Sequence, residues 1–237
     1  FWYVFVTVII IPLLCIFIFP SFSFKIGNIF FGNVPKLYNV NLAQLLYKQS
    51  VSPILPQTVP QYAHHQLSRT YFIQGNLWGA LDKAKEELKL YPHSTSTYYI
   101  LGLTYGYMNR NYEAIDAFSV YINSFPEAWA PRNDKAWLQF RLGDIDGALE
   151  TMQPIVDNFK YTVWVQNTYC ALLISKKDFS NAKIACERAK ESIDKMDEND
   201  WGRAYPGNDP RIYGAGLNAM KRSIESNLAI INKNLSK

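Results

Sequence analysis

The segment RNYEAIDAFSVYINSFPEA, residues 110–128, has the pattern of one amphipathic helix with a defined end. Its apolar residues recur at helical spacing and form a single face. One small residue, Ala114, lies among bulky ones. Pro126 follows the apolar pattern, at a position where proline ends a helix. Whether this segment is one helix of an ordinary domain or one unit of a repeat depends on what recurs around it.

Small residues and turn residues recur at a constant spacing of about 34 residues on both sides of this segment. Gly75, Asn109, Gly143 and Lys177 are equally spaced, and glycine and asparagine tolerate the positive φ of a tight turn. Each unit is therefore predicted to be two helices joined by a tight turn, which bury their apolar faces only when units stack. Small residues that let the paired helices approach closely are Ser68, Gly102, Ala136 and Cys170 in the first helices, and Ala80, Ala114, Ala148 and Ala182 in the second.

This register resembles the tetratricopeptide repeat (TPR) family, whose unit has the same length of about 34 residues. The second unit matches the family pattern best, at Leu101, Gly102, Tyr105, Ala114, Phe118 and Pro126. The resemblance implies an all-α right-handed superhelix, an α-solenoid, with four units at residues 61–94, 95–128, 129–162 and 163–194. Two departures are a late Tyr112, which predicts an altered turn, and Pro154, which predicts a kink.

The resemblance also implies a binding groove, because in this family the first helices line a concave face. Carried over residue by residue, the groove is aromatic with amides and arginines at intervals, which suits an extended or helical peptide. It has too few basic positions for the family's clamp on chaperone carboxylates, and core packing is the alternative for each aromatic. The predicted groove residues are Tyr62, His65, Arg69, Tyr99, Leu103, Tyr107, Asn133, Trp137, Arg141, Trp164 and Asn167.

Residues 1–24 carry no charge, and the first charged residue is Lys25. Their apolar run of about 19 residues is close to the length that crosses a bilayer. Trp2 and Tyr3 suit one membrane interface. We therefore predict a single-pass transmembrane anchor over residues 1–24. A cleaved signal peptide with a small-x-small site at Ser21 and Ser23 is one alternative, and a buried core helix is another.

The flanks of the repeats carry weaker signals. Residues 25–60 are predicted to be a linker with one short helix, because prolines interrupt their second half. Residues 195–210 are rich in Asp, Asn, Gly and Pro, which predicts a loop. Residues 211–237 carry one apolar stripe at helical spacing, which predicts a helix that caps the array. A coiled coil that joins two chains as a homodimer is the alternative.

No catalytic constellation, phosphate-binding loop or zinc motif is present, so we expect no enzyme, no cofactor and no metal. The net charge of +4 is modest and charges of both signs alternate, which argues against nucleic acid as a partner. With three cysteines and no CxxC pair, a disulfide framework is not expected. Cys170 and Cys186 fall on the two helices of the fourth unit. They are either small core residues or, in an exported domain, a disulfide.

These features predict a membrane-anchored scaffold or adaptor that binds a protein or peptide segment in an aromatic groove. We expect the repeats on the periplasmic or outer side of the membrane. Three alternatives stay open at this point. They are a receptor of the opposite topology with cytosolic repeats, an accessory subunit released after signal cleavage, and an enzyme accessory or catalytic domain.

Overall fold

A computed structural model describes residues 19–33, 35–51, 59–203 and 212–236. The chain divides into two compact units, Phe1–Thr104 and Tyr105–Lys237. Twelve α-helices and no strand occur in the described ranges. The helices are α1 (Pro20–Asn28), α2 (Val40–Ser50), α3 (Ala63–Ile73), α4 (Leu77–Leu90), α5 (Thr97–Tyr107), α6 (Asn111–Ser124), α7 (Trp129–Arg141), α8 (Ile145–Val156), α9 (Val163–Ser175), α10 (Phe179–Ile193), α11 (Glu198–Arg203) and α12 (Tyr213–Leu235).

The turns of the four repeat hairpins share one left-handed residue. Its φ is 76° at Gly75, 58° at Asn109, 85° at Gly143 and 60° at Lys177. Glycine and asparagine reach this region at low cost, whereas a lysine there is uncommon. The repeat register therefore identifies the fourth turn although its residue type does not. Asn109 matches the others, so the altered turn expected beside Tyr112 is not found.

Small residues occupy the positions at which the sequence predicts contact between paired helices. All eight members of the two predicted series are buried. In the first hairpin the hydroxyl of Ser68 on α3 donates to the carbonyl of Ala80 on α4 at 2.7 Å. Ala136 and Ala148 share one apolar cluster between α7 and α8. Close approach of the backbones thus packs the first and third hairpins without large side chains at the contact.

The fourth hairpin is also joined covalently. Cys170 on α9 and Cys186 on α10 form a disulfide, with 5.4 Å between their Cα atoms. Both side chains are fully buried. Of the two readings that the sequence leaves open for this pair, the structure has the bond.

Helix α12 closes the second unit with its apolar stripe turned inward. Leu217 and Ile224 pack with Ile193 of α10, and Ile231 packs with Cys186 of α10. All three stripe residues are buried within the chain. These residues are thus covered by α10 of the same chain. The homodimer through residues 211–237 that the sequence allowed is therefore not supported.

Residues 25–33 and 35–51 form more structure than the linker predicted for 25–60. Helices α1 and α2 fold back on each other, and the backbone N–H of Asn39 donates to the carbonyl of Phe30 at 2.8 Å. Phe31 and Tyr47 are buried in one cluster with Leu67 of α3. The reason for the difference is that these aromatic side chains cover the apolar face of α3, which would otherwise meet water.

Two further predictions at the flanks have different outcomes. The predicted loop 195–210 contains helix α11. This helix forms because the Asp197 side chain accepts the N–H of Asp200 at 2.7 Å and starts a helical turn. The predicted anchor, residues 1–24, lies mostly outside the described residues, and α1 takes up its last five. In the ranges that the structure describes, no helix combines the length and hydropathy that crossing a membrane requires.

Candidate functional site

In the first unit, two predicted groove residues sit over the buried carboxylate of Glu87. Glu87 lies on α4, is fully buried, and accepts the backbone N–H of Tyr62 at 2.7 Å and that of His65 at 3.3 Å. Tyr62 precedes the first turn of α3 and supplies no side-chain cap of its own. Glu87 therefore caps α3 from the neighbouring helix. Sequence reasoning missed this residue, although its position two turns after Ala80 places an acid on the buried face of α4.

The charged groove residues of the first unit are engaged by their own chain. His65 Nδ1 lies 3.2 Å from the hydroxyl oxygen of Thr97. Burial, and then the charge of Arg69, lowers the pKa of His65 to about 3, so its ring is neutral at pH 7. The Arg69 guanidinium lies 4.8 Å from the ring centre of Phe31 and donates to Gln66 at 2.8 Å. Neither residue therefore presents a free charge to a partner.

The other predicted groove residues of the first unit are at least partly exposed to solvent. Tyr62 is exposed, and its ring meets the ring of His65 edge-on with 5.8 Å between centroids. Tyr99 and Leu103 lie on α5 and are half-buried. These three side chains are thus the accessible part of the predicted set in this unit.

In the second compact unit, Tyr105–Lys237, aromatic side chains are exposed on the first helices of two repeat hairpins. Tyr107 at the end of α5 is 70% exposed and Trp137 on α7 is 43% exposed. Arg141, one turn after Trp137, is also exposed. A Cβ on Gly106 would lie 3.8 Å from Leu138, so the end of α5 and the middle of α7 lie close together. We call Tyr107, Trp137 and Arg141 the aromatic surface.

The remaining predicted groove residues of the second unit are covered. Trp164 is 7% exposed, and its ring lies 5.9 Å from that of Trp201 on α11. The Asn167 amide is buried against α12, where its nitrogen donates to Ser223 at 3.3 Å and its oxygen accepts from Asn227 at 3.2 Å. Asn133 on α7 is buried as well. Trp164 and Asn167 pack inside the unit, because α11 and α12 occupy the face that the repeat pattern leaves open at the fourth hairpin.

A cavity of about 270 Å³ lies elsewhere in the second unit, between α8, α9 and α10. None of the predicted groove residues lines it. Within the described part of the chain, no group of three His, Cys, Asp or Glu side chains is arranged to hold a metal ion. The cavity is lined by Gln153, Val156, Asp157, Tyr169, Asn181, Ile184, Ala185 and Arg188.

Comparison with known proteins finds likeness only at the level of structure. No family model and no curated protein matches the chain. A crystal structure of MamA is similar, with 19% identity, a TM-score of 0.60, and cover of 74% of this chain and 92% of that one. MamA 41-end from Desulfovibrio magneticus RS-1 is similar at 14% identity and a TM-score of 0.62, with cover of 74% and 97%. PilF of Pseudomonas aeruginosa is similar at 11% identity and a TM-score of 0.63, with cover of 91% and 90%.

The likeness to these all-helical proteins agrees with the shared turns and paired helices described above. The chain has a TPR-like fold. At these identities the likeness shows the fold alone, so what the TPR-like chain binds has to be argued from its own residues.

Proposed function

We propose that this chain is a protein-interaction scaffold that a membrane anchor in residues 1–24 holds at a bilayer. The observation that carries the proposal is the aromatic surface of the second unit. Large aromatic side chains bury substantial area on binding and dominate the energy of many interfaces. Two of them, Tyr107 and Trp137, stand exposed on the first helices of TPR-like hairpins.

The aromatic surface suits a peptide segment with apolar anchors and an acidic group. Tyr107 and Trp137 supply the rings, and the exposed guanidinium of Arg141 supplies a bidentate donor for a carboxylate. Trp164 and Asn167 are left out of the proposed surface, since α11 and α12 cover them. The binding site is therefore shorter than the groove that the repeat pattern alone predicts.

We also propose that the repeats face an oxidising space outside the cytoplasm. The disulfide between Cys170 and Cys186 supports this side of the membrane, because disulfides persist in exported domains and are rare in the cytosol. The test is thiol alkylation of the full chain after whole cells are quenched with acid and the chain is denatured, because both cysteines are buried in the fold. Cys170 and Cys186 should then react only after reduction. Their reaction without reductant would place the domain in a reducing compartment.

Capture from detergent-solubilised native membranes tests the aromatic surface. The full chain serves as bait beside the double variant Tyr107→Ala/Trp137→Ala. A matched control is Trp78→Ala/Tyr112→Ala, because Trp78 and Tyr112 are also exposed but start the second helices of their hairpins. A partner that the control retains and the double variant loses supports the proposal. Loss in both variants, or in neither, would refute the aromatic surface as the binding site.

A further inference from the structure

The net positive charge of this chain comes from residues that precede its first acidic residue. The first acidic residue in the sequence is Asp82, whereas Lys25, Lys36, Lys48 and Arg69 all precede it. These four cations equal the net charge of the whole chain, +4, so residues 82–237 are balanced. A segment of this length with cations and without a single carboxylate attracts anions.

Two of these cations directly follow residues that pack together between α1 and α2. Tyr47 on α2 packs against Phe24 of α1, with 5.9 Å between ring centroids. Lys48 follows Tyr47 and Lys25 follows Phe24, and both lysines are exposed. At a rise of about 1.5 Å per residue, Lys25 stands roughly 8 Å along the helix from Pro20, the first residue of α1. The two lysines are therefore close to the end of the segment proposed as the anchor.

The other two cations have different surroundings. Arg69 is held by Phe31 and Gln66, as described above. Lys36 lies in the turn between α1 and α2, at the opposite end of the pair from the start of α1. Neither of them therefore extends the surface that Lys25 and Lys48 form.

Apolar and aromatic side chains accompany the two lysines. Phe19, before α1, and Leu45, one turn before Lys48 on α2, are both exposed. The Lys48 ammonium also lies 5.3 Å from the ring centre of Tyr71, a contact that leaves the lysine side chain exposed. A surface with both cationic and apolar side chains is typical of contact with a lipid interface.

We propose that Lys25 and Lys48 bind the headgroups of anionic lipids. This contact rests on the proposed anchor, which would place both lysines at headgroup depth. A bilayer is favoured over an acidic protein as the occupant because Lys25 directly follows the long uncharged segment of residues 1–24. The tether keeps the local concentration of lipid high, and the charge of the segment is complementary to an anionic surface.

Lysine reactivity in nanodiscs tests the contact with the full chain. The chain is placed in phosphatidylcholine discs, in discs with added phosphatidylglycerol, and in phosphatidylcholine discs with inorganic phosphate. A lysine acylating reagent and mass spectrometry then give the rate at each residue. We expect the anionic lipid to slow Lys25 and Lys48 about fivefold, the effect of one lysine held near an anionic surface. Lys85 and Lys89, exposed on α4 beside acidic residues, should react at unchanged rates. High salt should abolish the protection.

Matched variants give a second readout from mixed-lipid discs. Lys25→Gln/Lys48→Gln should reduce the phosphatidylglycerol that copurifies with the chain, whereas Lys85→Gln/Lys89→Gln should not. Equal labelling in neutral and anionic discs would overturn the lipid contact while leaving the anchor intact. Protection by inorganic phosphate in neutral discs would show a site that does not need lipid, which also overturns it. Failure of the chain to enter any disc would refute the anchor and the lipid contact with it.

Discussion

The carboxylate of Glu87 accepts the backbone N–H of Tyr62 at 2.7 Å, so one helix of the first hairpin is capped by the side chain of the other. Replacing Glu87 by alanine leaves the N–H groups of Tyr62 and His65 without their acceptor. Each buried donor left unsatisfied costs about 1–3 kcal/mol. We expect Glu87→Ala to lower the free energy of unfolding by about 2–6 kcal/mol in urea denaturation, on the basis of these two donors.

The exposed Asp82 provides the control for this measurement. Asp82 ion-pairs with Lys83 at 3.1 Å on the same helix, and its side chain is 64% exposed. Such exposed pairs contribute about 0–1 kcal/mol, so Asp82→Ala should have a small effect. Equal losses in the two variants would contradict the assigned role of Glu87.

His65 should make the first unit sensitive to acid. Its pKa is lowered to about 3 in the fold against about 6.5 in the unfolded chain, so the unfolded state binds a proton first as the pH falls. This contribution to stability is complete above pH 6.5 and is lost between pH 6.5 and 3, at up to about 1.4 kcal/mol per pH unit. The free energy of unfolding of His65→Gln should fall less over this range. Parallel pH profiles of the two proteins would show that His65 is not the group responsible.

The disulfide of the fourth hairpin should stabilise the second unit in a redox-dependent way. Cys170 and Cys186 are 16 residues apart, and closing a loop of this size restricts the unfolded chain by about 3 kcal/mol. Reduction should therefore lower the free energy of unfolding by about this amount in denaturant titrations. The variant Cys170→Ala/Cys186→Ala retains Cys15 and should not respond to reductant. A response of the variant equal to that of the natural chain would locate the effect elsewhere.

The buried stripe of α12 should govern stability rather than assembly. Ile224 is 1% exposed, and its replacement by alanine should cost about 2–4 kcal/mol from lost burial and the cavity that remains. Ile230, exposed on the same helix, is the matched control and should cost far less. Light scattering in detergent should find the same oligomeric state for both variants and the natural chain. Dissociation of an oligomer on Ile224→Ala would instead indicate a contact between chains.

The repeated part of the fold could be predicted because its determinants are local. Ala114 must be small because a helix contacts its partner there, and the same requirement recurs at the same place in every unit of the sequence. The left-handed turn at Lys177 follows from that register alone, since lysine carries no preference for it. Periodicity is therefore sufficient to predict the hairpins.

The sequence could not predict in the same way which segments cover the predicted groove. Periodicity shows that a helix has an apolar or polar face, but it does not show which distant segment packs on that face. Asn167 is bound by Asn227, 60 residues further along the chain, and Arg69 lies over Phe31, which precedes the whole of α2. Both residues fit the groove pattern and both are engaged within the chain. The proposed site is thus smaller than the groove that the family positions predict.

The common turn geometry of the hairpins constrains how this chain can change in length. The left-handed residues at Gly75, Asn109, Gly143 and Lys177 lie inside the hairpins and are one repeat apart, so two successive ones enclose the second helix of one hairpin and the first helix of the next. Removing or duplicating one whole repeat leaves a left-handed turn inside every hairpin, whereas an insertion or deletion of another size inside a hairpin places a bulky residue at a small-residue contact. We therefore expect the length of this protein to change by whole repeats, because other insertions and deletions disrupt the packing of the hairpin that contains them.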